Sequence, residues 1–162
     1  MGRLLLVGLA CSLLPVAAWA QQSDNRSIIG SGNEFLSAGS FAIRVGQYDE
    51  GIRLTELGLR RYQPSTADRA AAFSNLCAAY AAKNDPDTAI SYCDQSLSLS
   101  SNNWRAYSNR SYAYFLKGMY SEATFDLDAA AAINPDARQV EQLRGMINER
   151  GLRPRVIMED HQ

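Results

Sequence analysis

Apolar residues recur along the chain at intervals of three and four. In the middle they include Phe73, Leu76, Tyr80, Ile90 and Leu97, with polar positions between them. That interval lines one face of an α-helix, so the pattern predicts paired amphipathic helices. The pattern also repeats. Residues 74–86, SNLCAAYAAKNDP, return as 108–120, SNRSYAYFLKGMY, 34 residues later. Residues 70–103 align with 104–137 without gaps: Phe73 with Tyr107, Asn75 with Asn109, Tyr80 with Tyr114, Ala89 with Ala123, Leu99 with Ile133. A weaker copy occupies 32–65, with Phe35 matching Phe73 and Ile52 matching Ile90. It lies 38 residues upstream, which places four extra residues around Ser65–Asp68.

Three sets of small residues fall at equivalent positions: Gly39, Cys77 and Ser111; Gly51, Ala89 and Ala123; Gly58, Ser96 and Ala130. Two antiparallel helices joined by a tight turn approach closely only where facing side chains are small. The sets therefore predict three helical hairpins. Asp85-Pro86 reads as an N-cap followed by proline at the first helical position. Lys117-Gly118 and Asn134-Pro135 read as helix ends, and Ser31-Gly32-Asn33-Glu34 fits a capping box. Residues 138–150, RQVEQLRGMINER, continue the spacing with Val140, Leu143, Met146 and Ile147 on one side, and Gly151 stops that helix.

Over residues 32–137 this pattern resembles the tetratricopeptide repeat, a 34-residue helix–turn–helix unit. The chain departs from that pattern at Gly51 (usually alanine), Ala42 (no tyrosine), Pro86 (often aromatic) and Arg110 (more often leucine). The stem of Arg110 is expected to pack while its head reaches water. The resemblance implies an all-α fold: a right-handed α-solenoid of three repeats, 32–65, 70–103 and 104–137. Residues 138–150 form a capping helix with a polar outer face, since a repeat stack must cover its last apolar surface. The solenoid then spans 32–151, with 21–31 a flexible linker and 152–162 a flexible tail.

The resemblance also implies a concave groove lined by the first helix of each repeat, binding a protein or peptide segment. Carried over by position, the groove is lined by Asn33, Leu36, Ser40, Ile43 and Arg44; by Ala71, Ser74, Ala78, Ala81 and Ala82; and by Arg105, Ser108, Tyr112, Phe115 and Leu116. The contact residues expected are Ser74, Asn75, Ala78, Arg105, Ser108, Asn109, Tyr112 and Phe115. A floor of alanines beside two aromatics suits an apolar or mixed peptide more than a strongly acidic one. The competing reading packs Tyr112 and Phe115 under the capping helix. Some domains of this family clamp a terminal carboxylate. Asn75, Arg105 and Asn109 resemble part of that clamp, but Leu36 and Ser40 stand where lysine and asparagine would be.

The first twenty residues change the picture. MGRLLLVGLACSLLPVAAWA has one charge, Arg3, then a short apolar run, then Ala18-Trp19-Ala20. This is the layout of a secretory signal peptide, residues 1–20, cleaved after Ala20. A retained anchor is the alternative, but the run is short for a span and Pro15 interrupts it. A lipid-bearing Cys11 is another, but Gly8-Leu9-Ala10 matches that signal poorly. The expectation is an exported protein, periplasmic first and secreted second, with no stable membrane insertion after cleavage. The 162-residue chain has 16 basic and 17 acidic residues, net −1. Without residues 1–20 the balance is 15 to 17, net −2, which gives no basic footprint for nucleic acid.

Export bears on Cys77 and Cys93, the two cysteines left after cleavage. Each lies about eight residues from the turn near Asn84 and Asp85, so an antiparallel hairpin sets them at nearly the same height. They are either a disulfide stapling the hairpin or two buried thiols acting as small apolar residues. Catalysis finds little to stand on. The single histidine, His161, lies at the far end of the sequence, with Glu159 and Asp160 beside it, and reads as solvated tail rather than as a base or metal ligand. Asp126 and Asp128 sit two apart on a helix and point in different directions. No glycine-rich phosphate loop is present. No catalytic residue, metal site or cofactor is expected, and the chain reads as a binding adaptor rather than an enzyme. The alternative is a self-associating structural module that makes homo-oligomers through its solenoid ends or groove.

Overall fold

A computed structural model of the chain describes residues 33–151. The expected signal peptide at 1–20, nearly all of the linker and solenoid start before residue 33, and the tail at 152–162 lie outside these residues. Seven helices follow one another: α1 (Glu34–Arg44), α2 (Tyr48–Arg61), α3 (Thr66–Ala82), α4 (Pro86–Leu99), α5 (Trp104–Leu116), α6 (Tyr120–Ile133) and α7 (Arg138–Gly151). They pair as hairpins α1–α2, α3–α4 and α5–α6, with α7 against α5 and α6. First helices also touch first helices, α1 with α3 and α3 with α5. This is the right-handed all-α solenoid that the repeat pattern predicts. No described helix is long and apolar enough to cross a membrane.

The helices start where polar side chains satisfy their first amides. Asn33, Ser65, Asp85 and Asn103 accept from the backbone N–H groups of Leu36, Asp68, Thr88 and Ala106. Asn33 is therefore the cap of α1, in place of the capping box expected from Ser31. The turns inside the three hairpins share one device. Gly46 (φ +82°), Asn84 (φ +61°) and Gly118 (φ +74°) hold equivalent places in the left-handed region, which glycine and asparagine enter most easily. The four extra residues before the second repeat are not a looser loop. They start α3 early, at Thr66, and lengthen it to 17 residues.

The small-residue sets do mark the close contacts. In the first hairpin a Cβ on Gly39 would run into the Thr55 hydroxyl and lie 2.9 Å from the Thr55 nitrogen. One on Gly58 would lie 2.7 Å from Leu36 Cδ2. The middle hairpin puts the Cys77–Cys93 disulfide at that same height, with Cα atoms 5.3 Å apart. Of the two readings of this pair, the structure has the bond. In the third hairpin the Ser111 hydroxyl donates to the Ala123 carbonyl at 2.6 Å.

The last core layer forms where α7 covers the stack: Val140, Leu143 and Ile147 pack on Trp104, Leu127 and Ala130. Met146, expected on that side, is exposed, because it lies round the helix from the other three. Arg110 also departs from expectation. Its guanidinium does not reach out to water. It donates through Nε (2.7 Å) and Nη2 (2.8 Å) to both oxygens of buried Asp126, and through Nη1 to Asp94. An arginine at a position usually apolar thus carries its own buried counter-ion. Asp128 points the other way, to Arg144 on α7 at 2.9 Å.

Candidate functional site

The first helices of the repeats line a concavity of about 580 Å³. Helix α1 contributes Ser40, Ile43 and Arg44, and Tyr48 stands at the start of α2. Helix α3 supplies the floor: Ser74, Asn75, Ala78 and Ala82. Helix α5 supplies Arg105 and Asn109, and Gln139 closes the wall from α7. The i, i+4, i+8 spacing of Ser74, Ala78 and Ala82 puts one small-residue stripe along α3, and this leaves the space open.

Five of the expected contact residues therefore meet at one concavity: Ser74, Asn75, Ala78, Arg105 and Asn109. Three do not. Ser108 is fully buried, turned toward the interior of the stack. Tyr112 and Phe115 stack on each other with centroids 6.3 Å apart. Both pack against the core that α7 closes, which is the competing reading given above. Leu36, Ala71 and Ala81, also expected to line the groove, are buried between helices. Two lining residues were missed. Gln139 lies 34 residues after Arg105 and 68 after Ala71, so one more step of the repeat would have reached it. Tyr48 sits at an inter-helix turn, where the repeat gives no groove signal.

Removing the aromatics changes the chemistry of the groove. Its lining carries two cations, Arg44 and Arg105, and no carboxylate. Arg105 lies over the Trp104 ring, 4.4 Å from the centroid, and Arg44 donates to the Ser40 hydroxyl at 3.1 Å. The two equivalent asparagines behave differently. The Asn109 amide donates to the Ser74 carbonyl at 3.0 Å and accepts from Gln139 at 3.0 Å, tying α3, α5 and α7 together. The Asn75 amide nitrogen is buried and makes no hydrogen bond to the protein. Leu36 is in the core and Asn109 is committed to the scaffold, so the carboxylate clamp suggested by resemblance is incomplete. Among the described residues no group of three or more His, Cys, Asp or Glu could hold a metal ion.

A stack of helical hairpins with a polar, cation-bearing concave face defines a repeat protein built for recognition. A tetratricopeptide repeat family model matches residues 76–148. The rat DnaJ homolog subfamily C member 3 is 26% identical over 126 residues, covering 78% of this chain and 24% of the relative. The chain thus spans about a quarter of the curated relatives it matches. Among solved structures, the second TPR domain of human RPAP3, in complex with the HSP70 peptide SGPTIEEVD, superposes with a TM-score of 0.59 at 22% identity, covering 70% of this chain and 92% of that one. The TPR2B domain of yeast Sti1, in a complex with pHsp70, gives 0.61 at 23%, covering 72% and 95%. The chain is a tetratricopeptide repeat protein.

Proposed function

We propose that the chain is an exported adaptor whose groove holds an extended protein segment with acidic side chains. One observation carries this reading: the groove is open, and its only charged lining residues are Arg44 and Arg105. A carboxylate entering there meets positive charge and the unpaired Asn75 amide, and meets no like charge. The peptide in the RPAP3 complex, SGPTIEEVD, is itself acidic toward its end, which supports the same chemistry here. The role is recognition without catalysis.

Peptides selected by display on residues 21–162 should be enriched in Asp and Glu, and an Arg44→Ala/Arg105→Ala chain should lose them. Selection of the same peptides by both chains would sink the groove reading. Export is supported by the leader pattern of residues 1–20 and by the Cys77–Cys93 bond. Recovery from an envelope fraction of a chain starting at Gln21 is the expected result; a chain that keeps Met1 contradicts it.

Self-association is the second reading, and Phe41 and Val45 favour it. They lie four apart on α1 at the open end of the stack, 58% and 50% exposed. Light scattering should then show mass rising with concentration, and Phe41→Glu should abolish the rise.

A further inference from the structure

We infer that the segment after α7, residues 152–162, folds back into the concave groove of its own chain and competes with partner segments there. The inference rests on the groove reading above. The sequence of the segment is LRPRVIMEDHQ. Pro154 cannot continue a helix, because it lacks the N–H and its ring clashes with the preceding turn. The segment carries an apolar run, Val156-Ile157-Met158, followed at once by Glu159-Asp160. That is an apolar stretch for a floor of Ala78, Ala82 and Ile43, and then two carboxylates for Arg105 and the unpaired Asn75 amide.

Length and direction agree with this placement. Gln139, in the groove wall, and Gly151, at the end of the helix, both lie on α7. Twelve residues separate them, roughly 18 Å of helix. Helix α7 packs against α5, which bears Arg105, so the lateral offset is one helix spacing of about 8–10 Å. Eight extended residues from Gly151 to Glu159 span up to about 26 Å. The distance to cover is about 20 Å, combining the helical and lateral offsets. The tether also favours the chain's own groove over another's, because a short flexible link sets a millimolar local concentration.

The test uses residues 21–162 and the same chain with Glu159→Lys and Asp160→Lys. The first probe is a fluorescein-labelled peptide of sequence LRPRVIMEDHQ; the second is a display-selected acidic peptide. Fluorescence anisotropy reads both. Both probes should bind the double-lysine chain about tenfold more tightly than the unaltered chain, as a tail of about 0.1 mM intrinsic affinity at millimolar local concentration requires. Adding Arg105→Ala to the double-lysine chain should abolish probe binding. If the selected peptide binds both chains equally, the tail is not in the groove, while the groove reading stands. If neither probe binds either chain, both readings fall. If competition strengthens with protein concentration as the mass doubles, the tail sits in a second copy, and the intramolecular inference is overturned.

Discussion

The second and third repeats begin with nearly the same words, Ser74-Asn75-Leu76-Cys77 and Ser108-Asn109-Arg110-Ser111, yet the molecule uses them in opposite ways. In the second repeat the phrase opens a surface. Ser74, Ala78 and Ala82 leave space, and Asn75 keeps an unpaired amide nitrogen. The hairpin behind that surface is held by a disulfide and by a stack of Phe73, Tyr92 and Tyr80 with centroid steps of 6.1 and 5.4 Å. Burial raises the phenol pKa values of Tyr80 and Tyr92. In the third repeat the phrase closes a joint. Asn109 is bonded on both sides, Tyr112 and Phe115 lie under α7, and Arg110 is locked to Asp126. The difference lies in neighbours. The third repeat meets a capping helix, and its groove positions are taken up by the cap. Equivalent positions in a repeat protein therefore carry equivalent folding roles but not equivalent binding roles.

The largest expected effect tests the closed joint. Arg110→Ala strands the Asp126 carboxylate in the interior, and breaking a buried pair from one side costs about 3–5 kcal/mol. Urea denaturation should show that loss, whereas Arg110→Leu/Asp126→Leu should recover much of it, because an apolar pair needs no counter-charge. A single variant as stable as the parent would mean that Asp94 or water already solvates the site. The open repeat comes next. Cys77→Ala/Cys93→Ala frees a loop of sequence separation 16, worth about 3 kcal/mol at that length. The loss should appear as a lower melting temperature, matched by the unaltered protein under a dithiol reductant. Melting curves that coincide with and without reductant would remove the covalent staple from this account. Asn109→Ala should cost less, about 1–3 kcal/mol, by leaving the Ser74 carbonyl and the Gln139 amide without this partner.

Legibility followed the same divide. The helices, their turns and the close contacts were readable because a period of 34 puts the same steric demand on the same position each time. Gly39, Cys77 and Ser111 could be aligned before any contact was seen. The groove floor on α3 was readable for the same reason, since small residues at helical spacing leave room whatever surrounds them. The third repeat was not. Ser108, Tyr112 and Phe115 were assigned to the groove by a rule that assumes another repeat beside them, and the neighbour is the cap. Arg110 was misread because a single repeat shows a charge but not its counter-ion, which lies sixteen residues away on α6. The apolar character expected of the groove fell with the aromatics.

The smallest expected effect on stability is the sharpest test of the comparison. Asn75→Ala removes an amide whose nitrogen is buried and makes no protein hydrogen bond, so unfolding should shift by less than about 0.5 kcal/mol. The equivalent change at Asn109 should destabilise by several times that. Binding should show the reverse order. A groove that receives a carboxylate beside Arg105 gains a hydrogen bond from the Asn75 amide, worth about 1.5–3 kcal/mol when the acceptor is charged. Asn75→Ala should therefore weaken an acidic peptide about tenfold or more, read by anisotropy on the double-lysine tail variant, where the chain's own tail does not compete. Asn109→Ala should change that affinity far less at a temperature where the protein stays folded. If the two substitutions shift stability and binding in the same proportion, the two asparagines do the same job, and the division between an open second repeat and a closed third one is wrong.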